Sequence, residues 1–86
     1  ALEAVAARLT AADRLAEAVG AALAAVRAEP LRESARAALI RVHLAEGNQS
    51  DAIGEFERYR VLLRAELGIE PTPGLRKLIR DLGGNH

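Results

Sequence analysis

His43 and Glu46 are the residues whose types and spacing come nearest to a metal site. Imidazole nitrogens and carboxylate oxygens both bind zinc, and on a helix this spacing places the two side chains one turn apart. Zinc sites need three or four converging ligands, and the sequence offers no second pair of this kind nearby. We therefore predict no metal and no cofactor, and we expect His43 to be a packed or half-buried ring.

Nucleophilic catalysis has no better support in the sequence. The chain contains no cysteine, and Ser34 and Ser50 lie beside predicted helix starts without a histidine placed by the helical pattern to activate them. Gly68 and the pair Gly83-Gly84 lack the strand and the spacing of a phosphate-binding loop, so we interpret them as helix terminators. The sequence predicts a protein that is not an enzyme.

The densest basic patch consists of Arg76, Lys77 and Arg80. On a helix, Arg76 and Arg80 share a face that could contact DNA phosphates or an acidic partner. The patch is small for a DNA-binding site, and the 12 basic and 12 acidic residues of the chain cancel. We favour a solvated face, with phosphate contact as the alternative, and we interpret Arg32 and Arg36 as a similar pair.

The composition predicts an all-α fold. The chain has 86 residues, half of them hydrophobic, so it can bury one thin core. Alanine is the commonest residue, and one Phe, one Tyr and few β-branched residues leave little from which to build strands. No apolar run approaches the roughly 18 residues that span a bilayer, so we expect no membrane contact and a cytoplasmic protein. Because the chain starts at Ala1 without an initiator methionine, we expect a fragment of a longer protein.

Apolar residues recur at helical spacing along the first half of the chain. From Leu2 to Ala28 the pattern is helical, with a turn predicted near Ala12 to Arg14, which gives two helices. Pro30 is expected to begin helix 3, because proline suits the first turn of a helix and disfavours the α conformation in the residue before it. Helix 3 carries apolar residues, including Leu31, on two flanks, so we expect both flanks to be buried.

Capping residues define the ends of the remaining helices. Gly47 is predicted to cap helix 3 in the left-handed conformation, and Asn48 to be the N-cap of helix 4. Helix 4 is expected to end at Gly68. Thr72 as N-cap and Pro73 at the first helical position then open helix 5.

An internal repeat links the two halves of the chain. A shift of 34 residues places Asp13 on Gly47 and Ala22 on Phe56, and this is the period of tetratricopeptide repeats. The first repeat matches less well, because Asp13 stands where the turn glycine belongs and Ala22 where a large aromatic belongs. The alternative is that any two alanine-rich helix hairpins give some matches at some offset. We predict one tetratricopeptide-like domain of about five helices, stacked as antiparallel hairpins over residues 1–86: repeat one 1–30, repeat two 31–67 and a capping helix 72–82.

Four stretches carry a family resemblance: Glu29-Pro-Leu-Arg-Glu33, Leu39–Gly47, Asp51–Arg60 and Leu63–Arg76. They closely resemble the bacterial transcriptional activator domain, and the specific part is the signature Glu66-Leu-Gly-Ile-Glu-Pro-Thr-Pro-Gly-Leu-Arg76. The resemblance covers residues from about 12 to 82 and looks like the C-terminal half of the full domain. In antibiotic regulatory proteins of actinomycetes, this domain follows an N-terminal winged-helix DNA-binding domain.

The resemblance implies a protein–protein interaction module that helps a bacterial regulator to activate transcription. Its partner would be the transcription machinery or another regulator subunit, and DNA would be bound mainly through the DNA-binding domain absent from this chain. Repeat stacks form extended concave surfaces, so exposed positions of helix 3 should line the inner side of the stack. The candidate partner surface is Ser34, Ala37 and Arg41.

A generic oligomerisation or scaffold domain is the alternative function. Two repeats are fewer than the roughly three that a stable solenoid usually needs, so both ends of the stack need covering. Helix 5 can cover one end. At the other end Leu2, Val5 and Leu9 of helix 1 have nothing upstream in this chain to cover them, so we expect upstream repeats or a partner chain there, including a possible homo-oligomer.

Overall fold

The structure, a computed structural model, describes residues 2–83 as helices joined by short turns. The described residues contain no strand, and the predicted all-α class is confirmed. The predicted terminator Gly84 lies outside the described residues. The helices are α1 Leu2–Ala11, α2 Leu15–Ala28, α3 Glu33–Ala45, α4 Gln49–Leu67 and α5 Pro73–Gly83.

The central helix α3 contributes to two apolar clusters, as its two apolar flanks predict. Leu39 and Val42 pack against alanines of α1 and α2, and each of the two is 1% exposed. Ile40 packs on the opposite side against α4, and Leu75 brings α5 onto the same cluster. The hairpins α1–α2 and α3–α4 therefore stack through α3, and α5 covers the end of the stack beside α4. The division into 1–30, 31–67 and 72–82 stays a prediction.

The two hairpin turns have the same hydrogen bonds at positions 34 residues apart. After α1, the backbone N–H of Asp13 donates to Thr10 and that of Arg14 to Leu9; after α3, Gly47 donates to Leu44 and Asn48 to His43. Both patterns are Schellman motifs, in which one residue adopts the left-handed conformation. That residue is Asp13, with φ 62°, in the first turn and Gly47, with φ 75°, in the second. The aspartate that weakens the repeat in the sequence therefore performs the same conformational role as the glycine.

The predicted start of helix 3 at Pro30 is wrong, whereas Asn48 stands at the N-cap of α4 as predicted. Pro30 does not begin α3 but occupies the second position of a turn that the Arg32 N–H closes onto the Glu29 carbonyl. In this turn Leu31 is 38% exposed, whereas the apolar pattern predicts its burial on helix 3. Asn48 does stand at the N-cap of α4, but its side chain makes no capping bond and donates instead to the Asp51 carboxylate at 2.6 Å.

The apolar surface left open at α1 is smaller than the sequence predicts. Leu2 is 41% exposed, whereas Val5 is half-buried and Leu9 packs against the cluster shared by α1, α2 and α3. Most of the exposed side of α1 consists of alanine and arginine. The covering of this end by upstream repeats or by a partner chain, including a second copy, stays a prediction.

The left-handed conformation of Asp13 and Gly47 predicts how substitutions at these two positions change stability. Asp13→Gly should raise the free energy of unfolding by about 0.5 kcal/mol, because glycine adopts the left-handed conformation without the penalty of a Cβ. Gly47→Ala should lower it by about 1 kcal/mol for the same reason. A Cβ on Gly47 would meet no atom within 4 Å, so the expected loss is conformational and not steric. Urea unfolding followed by circular dichroism measures both changes.

Gly20→Ala is the matched control for this pair. Gly20 lies inside α2, and a Cβ there also meets no atom within 4 Å. Alanine should therefore raise the free energy of unfolding by about 0.5 to 1 kcal/mol through helix propensity. Equal effects of alanine at Gly20 and Gly47 would contradict a left-handed requirement at Gly47.

Candidate interaction surface

Arg36 of α3 is buried at 6% exposure, so its interpretation as half of a solvated basic pair is wrong. Its Nη1 donates to Oε2 of Glu55 on α4 at 2.5 Å, and its Nη2 donates to the Pro30 carbonyl at 3.0 Å. A buried charge is tolerated only where it is paired and hydrogen-bonded. Arg36 therefore ties α3 both to α4 and to the turn that follows α2.

Tyr59 of α4 completes the buried cluster. The guanidinium of Arg36 lies over its ring at 5.1 Å from the ring centre, within the range of a cation–π contact. The Tyr59 hydroxyl donates to the Leu31 carbonyl at 2.9 Å. Burial, followed by the negative charge of Glu33, raises the pKa of Tyr59 above its usual 10.0. Tyr59 thus stays a neutral donor to the turn near neutral pH.

Glu55 is the acidic centre of the same cluster and is also 6% exposed. Burial alone would raise its pKa, but hydrogen bonds from Arg58 and Arg36 outweigh that effect, so the pKa lies below its usual 4.5. Arg58 reaches Oε1 of Glu55 from the next turn of α4 at 2.7 Å. Glu55 is therefore an ionised carboxylate with an arginine at each oxygen.

The side of α3 opposite the buried cluster, called the inner face below, carries the three predicted partner-surface residues. Ser34 and Arg41 are exposed on this face, and Ala37 between them is only 7% exposed. Ser34 and Arg41 line grooves on both sides of α3. The three predicted partner-surface residues thus share one face, on which Ser34 and Arg41 form a polar ridge and Ala37 lies at its base.

The groove between α1 and α3 has a volume of about 350 Å³, and half of its lining residues are alanines. Glu3 also lines this groove. Its Oε2 forms an ion pair with Nε of Arg32 at 3.0 Å, which joins α1 to the start of α3. Within the described residues Arg41 has no ion pair, so its charge is available to a partner. This groove offers a shallow apolar floor beside one free cation.

The groove between α3 and α5 has a volume of about 280 Å³, and Leu75 and Leu78 form its α5 wall. One carboxylate ties its two sides together: Glu33 accepts hydrogen bonds from the backbone N–H of Thr72, at 3.0 Å, and from the Thr72 hydroxyl. The sequence predicts Thr72 as the N-cap of helix 5 and carries no signal for its partner on another helix. Inner-face residues therefore come from α1, α3 and α5.

The basic patch divides between two sides of α5. Arg76 and Arg80 are exposed and line a pocket with Phe56 of α4, whereas Lys77 is exposed on the outer side and does not line it. None of the three forms an ion pair with another described residue. The structure thus brings Arg76 and Arg80 together and leaves Lys77 apart.

The His43 side chain is partly buried, and its Nδ1 lies 3.2 Å from Oε1 of Glu46. Residues 2–83 contain no group of three or more His, Cys, Asp or Glu side chains that could hold a metal ion. The assignment of Ser34 and Arg41 to a partner surface stays a prediction. None of the helices described is long and apolar enough to cross a membrane.

Stacked helix hairpins with grooves on one face define an all-α helical-repeat domain. The family described as Bacterial transcriptional activator domain matches residues 1–82, and the chain belongs to this family. The match starts earlier than the residues that carry the resemblance in the sequence. The family is a transcriptional activator domain and not an enzyme family.

A curated relative agrees with this assignment. The chain is 41% identical over 63 residues to "Regulatory protein AfsR" of Streptomyces coelicolor. These 63 residues are 73% of this chain. The matched stretch is 6% of the length of that protein. No solved structure shows a significant match to the chain.

The charge state of Glu55 predicts a pH dependence of stability. Glu55→Gln should lower the free energy of unfolding by about 2 to 3 kcal/mol at neutral pH, because it removes a buried charge from between two arginines. Folding lowers the pKa of Glu55, so its contribution is present above its usual 4.5 and is lost as pH falls below that value. The difference between wild type and variant should therefore shrink on acidification.

Urea unfolding at a series of pH values measures this difference. Glu17→Gln is the control, because Glu17 pairs with Arg14 on the surface and both side chains are more than half exposed. It should change the free energy of unfolding by less than about 1 kcal/mol. A difference for Glu55→Gln that stays constant down to about pH 3 would contradict an ionised, doubly bonded Glu55 in the native state.

Proposed function

We propose that this chain is the protein–protein interaction module of a bacterial transcriptional regulator. It helps to activate transcription by binding a protein through the inner face of α1, α3 and α5. The observation that carries the proposal is Arg41, an exposed cation without an ion pair in the described residues, standing between two grooves. The family match supports the regulatory role of the domain.

The arrangement of the grooves favours protein side chains as their occupants. Two grooves of about 350 and 280 Å³, near the lower end of the range for small-molecule sites, lie side by side along α3. An extended peptide or a helix can place successive side chains in both grooves and a carboxylate on Arg41 between them. The alanine floor of the first groove allows close approach of the partner backbone.

The partner we propose is the transcription machinery or another regulator subunit. DNA is contacted mainly by a DNA-binding domain elsewhere in the parent protein, since the charges of this chain cancel and give no field that attracts DNA. The site of action is the cytoplasm, where transcription occurs in bacteria. The relative in Streptomyces coelicolor is itself called a regulatory protein.

Arg41→Glu in the full-length parent protein should abolish most of the contact with the transcription machinery. Reversing the charge places a carboxylate where the partner's carboxylate binds, and we expect at least a tenfold loss, which corresponds to about 1.4 kcal/mol. Crosslinking of the purified parent to RNA polymerase holoenzyme, through a photoreactive residue at Ser34, measures the contact. Transcription from the parent's own promoter is measured in parallel.

Arg27→Glu is the control for this charge reversal. Arg27 is exposed in the last turn of α2, and lines none of the grooves on the inner face. It should leave crosslinking nearly unchanged. Crosslinking at Ser34 that is absent in the wild-type parent, or equal in Arg41→Glu and Arg27→Glu, would refute binding through this face.

A further inference from the structure

The pocket beside Arg76 and Arg80 lies on the side of α5 that faces α4. Phe56 of α4 and Pro73 and Ile79 of α5 supply its apolar surface, and its volume is about 490 Å³. The inner face described above uses Gly74, Leu75 and Leu78 on the other side of α5. The pocket is therefore separate from the proposed binding face, and the inference below does not rest on it.

The α3–α4 hairpin contains a residue, Arg36, that corresponds to Arg76, and the structure shows what covers it. Arg36 is the fourth residue of α3, as Arg76 is the fourth residue of α5, and a buried residue precedes each of them. Arg36 is covered by α4, whose Glu55 binds its guanidinium at 2.5 Å. The same residue type at the same helix position is thus bound by a glutamate from a neighbouring helix in one case and left exposed in the other.

At the next turn the two helices carry different residue types. Four residues after Arg36, Ile40 is fully buried against the apolar side chains of α4. Four residues after Arg76 stands Arg80, which is exposed and lines the pocket. An element packed on α5 as α4 packs on α3 would therefore meet two cations one turn apart, and it would need an acidic residue opposite each of them.

We propose that this pocket docks an acidic amphipathic helix of a partner protein, in the way that α4 docks on α3. The helix places apolar side chains on Pro73 and Ile79, which line the pocket and are not fully buried, and carboxylates on Arg76 and Arg80. A phosphate backbone would satisfy the arginines but has no apolar group for the floor of the pocket, so the pocket fits a helix better than DNA. Asp81 lies outside the pocket and pairs with neither arginine among the described residues.

A synthetic peptide with the α4 sequence, Gln49–Leu67, is the probe, because α4 already fits such a site in this chain. Titrated into the isotope-labelled 86-residue chain, it should shift the side-chain N–H signals of Arg76 and Arg80, with a dissociation constant of about 100 μM. The peptide carrying Glu55→Gln should bind at least fivefold more weakly, which corresponds to a loss of about 1 kcal/mol of binding free energy. No shift at about 1 mM peptide would overturn the proposal.

Variants of the chain identify the site. Arg76→Gln, at the position that Glu55 of the peptide covers, should weaken binding of the peptide about fivefold, whereas Lys77→Gln, which removes the same charge outside the pocket, should leave it unchanged. Arg80→Gln should weaken binding less, because α4 places apolar side chains opposite Ile40, the residue of α3 that corresponds to Arg80. Equal weakening by all three would show a general attraction of acidic peptide to a basic helix and would overturn the proposal. A peptide that displaced α4 from the chain would respond to none of the three, which overturns it as well.

Two further measurements separate other occupants of the pocket. A short DNA duplex that competes with the peptide for Arg76 and Arg80 would assign the pocket to phosphate and contradict the helix. Sedimentation of the chain alone tests self-association, because a second copy also carries α4. A concentration-dependent dimer that Arg76→Gln abolishes would assign the pocket to a second copy and not to a partner protein, whereas a monomer with normal peptide binding supports the proposal.

Discussion

The burial of the Arg36 guanidinium is the constraint on which the rest of the structure depends. An ion removed from water loses several kcal/mol of solvation, so this one is tolerated only if its hydrogen bonds and its ion pair form together. Glu55, the Pro30 carbonyl and the ring of Tyr59 supply those contacts from α4 and from the turn after α2. The fold thereby fixes α4 against α3 and also holds the entry of the chain into α3.

The same constraint explains how the inner face is presented. Alanine-rich helices bury little apolar area per residue, so small shifts between them cost little in hydrophobic free energy. A buried ion pair is more directional, because displacement of α4 breaks charge-assisted hydrogen bonds. With α3 held on its outer side, Ser34 and Arg41 stay exposed, and the bond from Thr72 to Glu33 sets α5 beside them. The grooves are a consequence of contacts made on the opposite side of α3 and at its first residue.

Local signals in the sequence predict much of this fold, whereas contacts between distant residues leave no such signals. Helix periodicity and capping residues act within a few residues, so α1, α2 and α4 and the turn at Gly47 follow from the sequence alone. The start of α3 does not, because Pro30 suits a turn as well as a helix and the carbonyls bound by Arg36 and Tyr59 favour the turn. Among the site residues, the exposure of Ser34 and Arg41 follows from periodicity. The burial of Arg36 does not, because Glu55 lies 19 residues away and arginine is ordinarily a surface residue.

A double-mutant cycle between Arg36 and Glu55 tests the central claim most directly. The free energies of unfolding of wild type, Arg36→Met, Glu55→Gln and the double variant give the coupling energy between the two side chains. We predict a coupling of about 2 kcal/mol or more, well above the roughly 0.5 kcal/mol expected for the exposed pair of Arg14 and Glu17 measured in the same way. A coupling no larger than that of the exposed pair would contradict the claim that this buried charge pair holds the helices together.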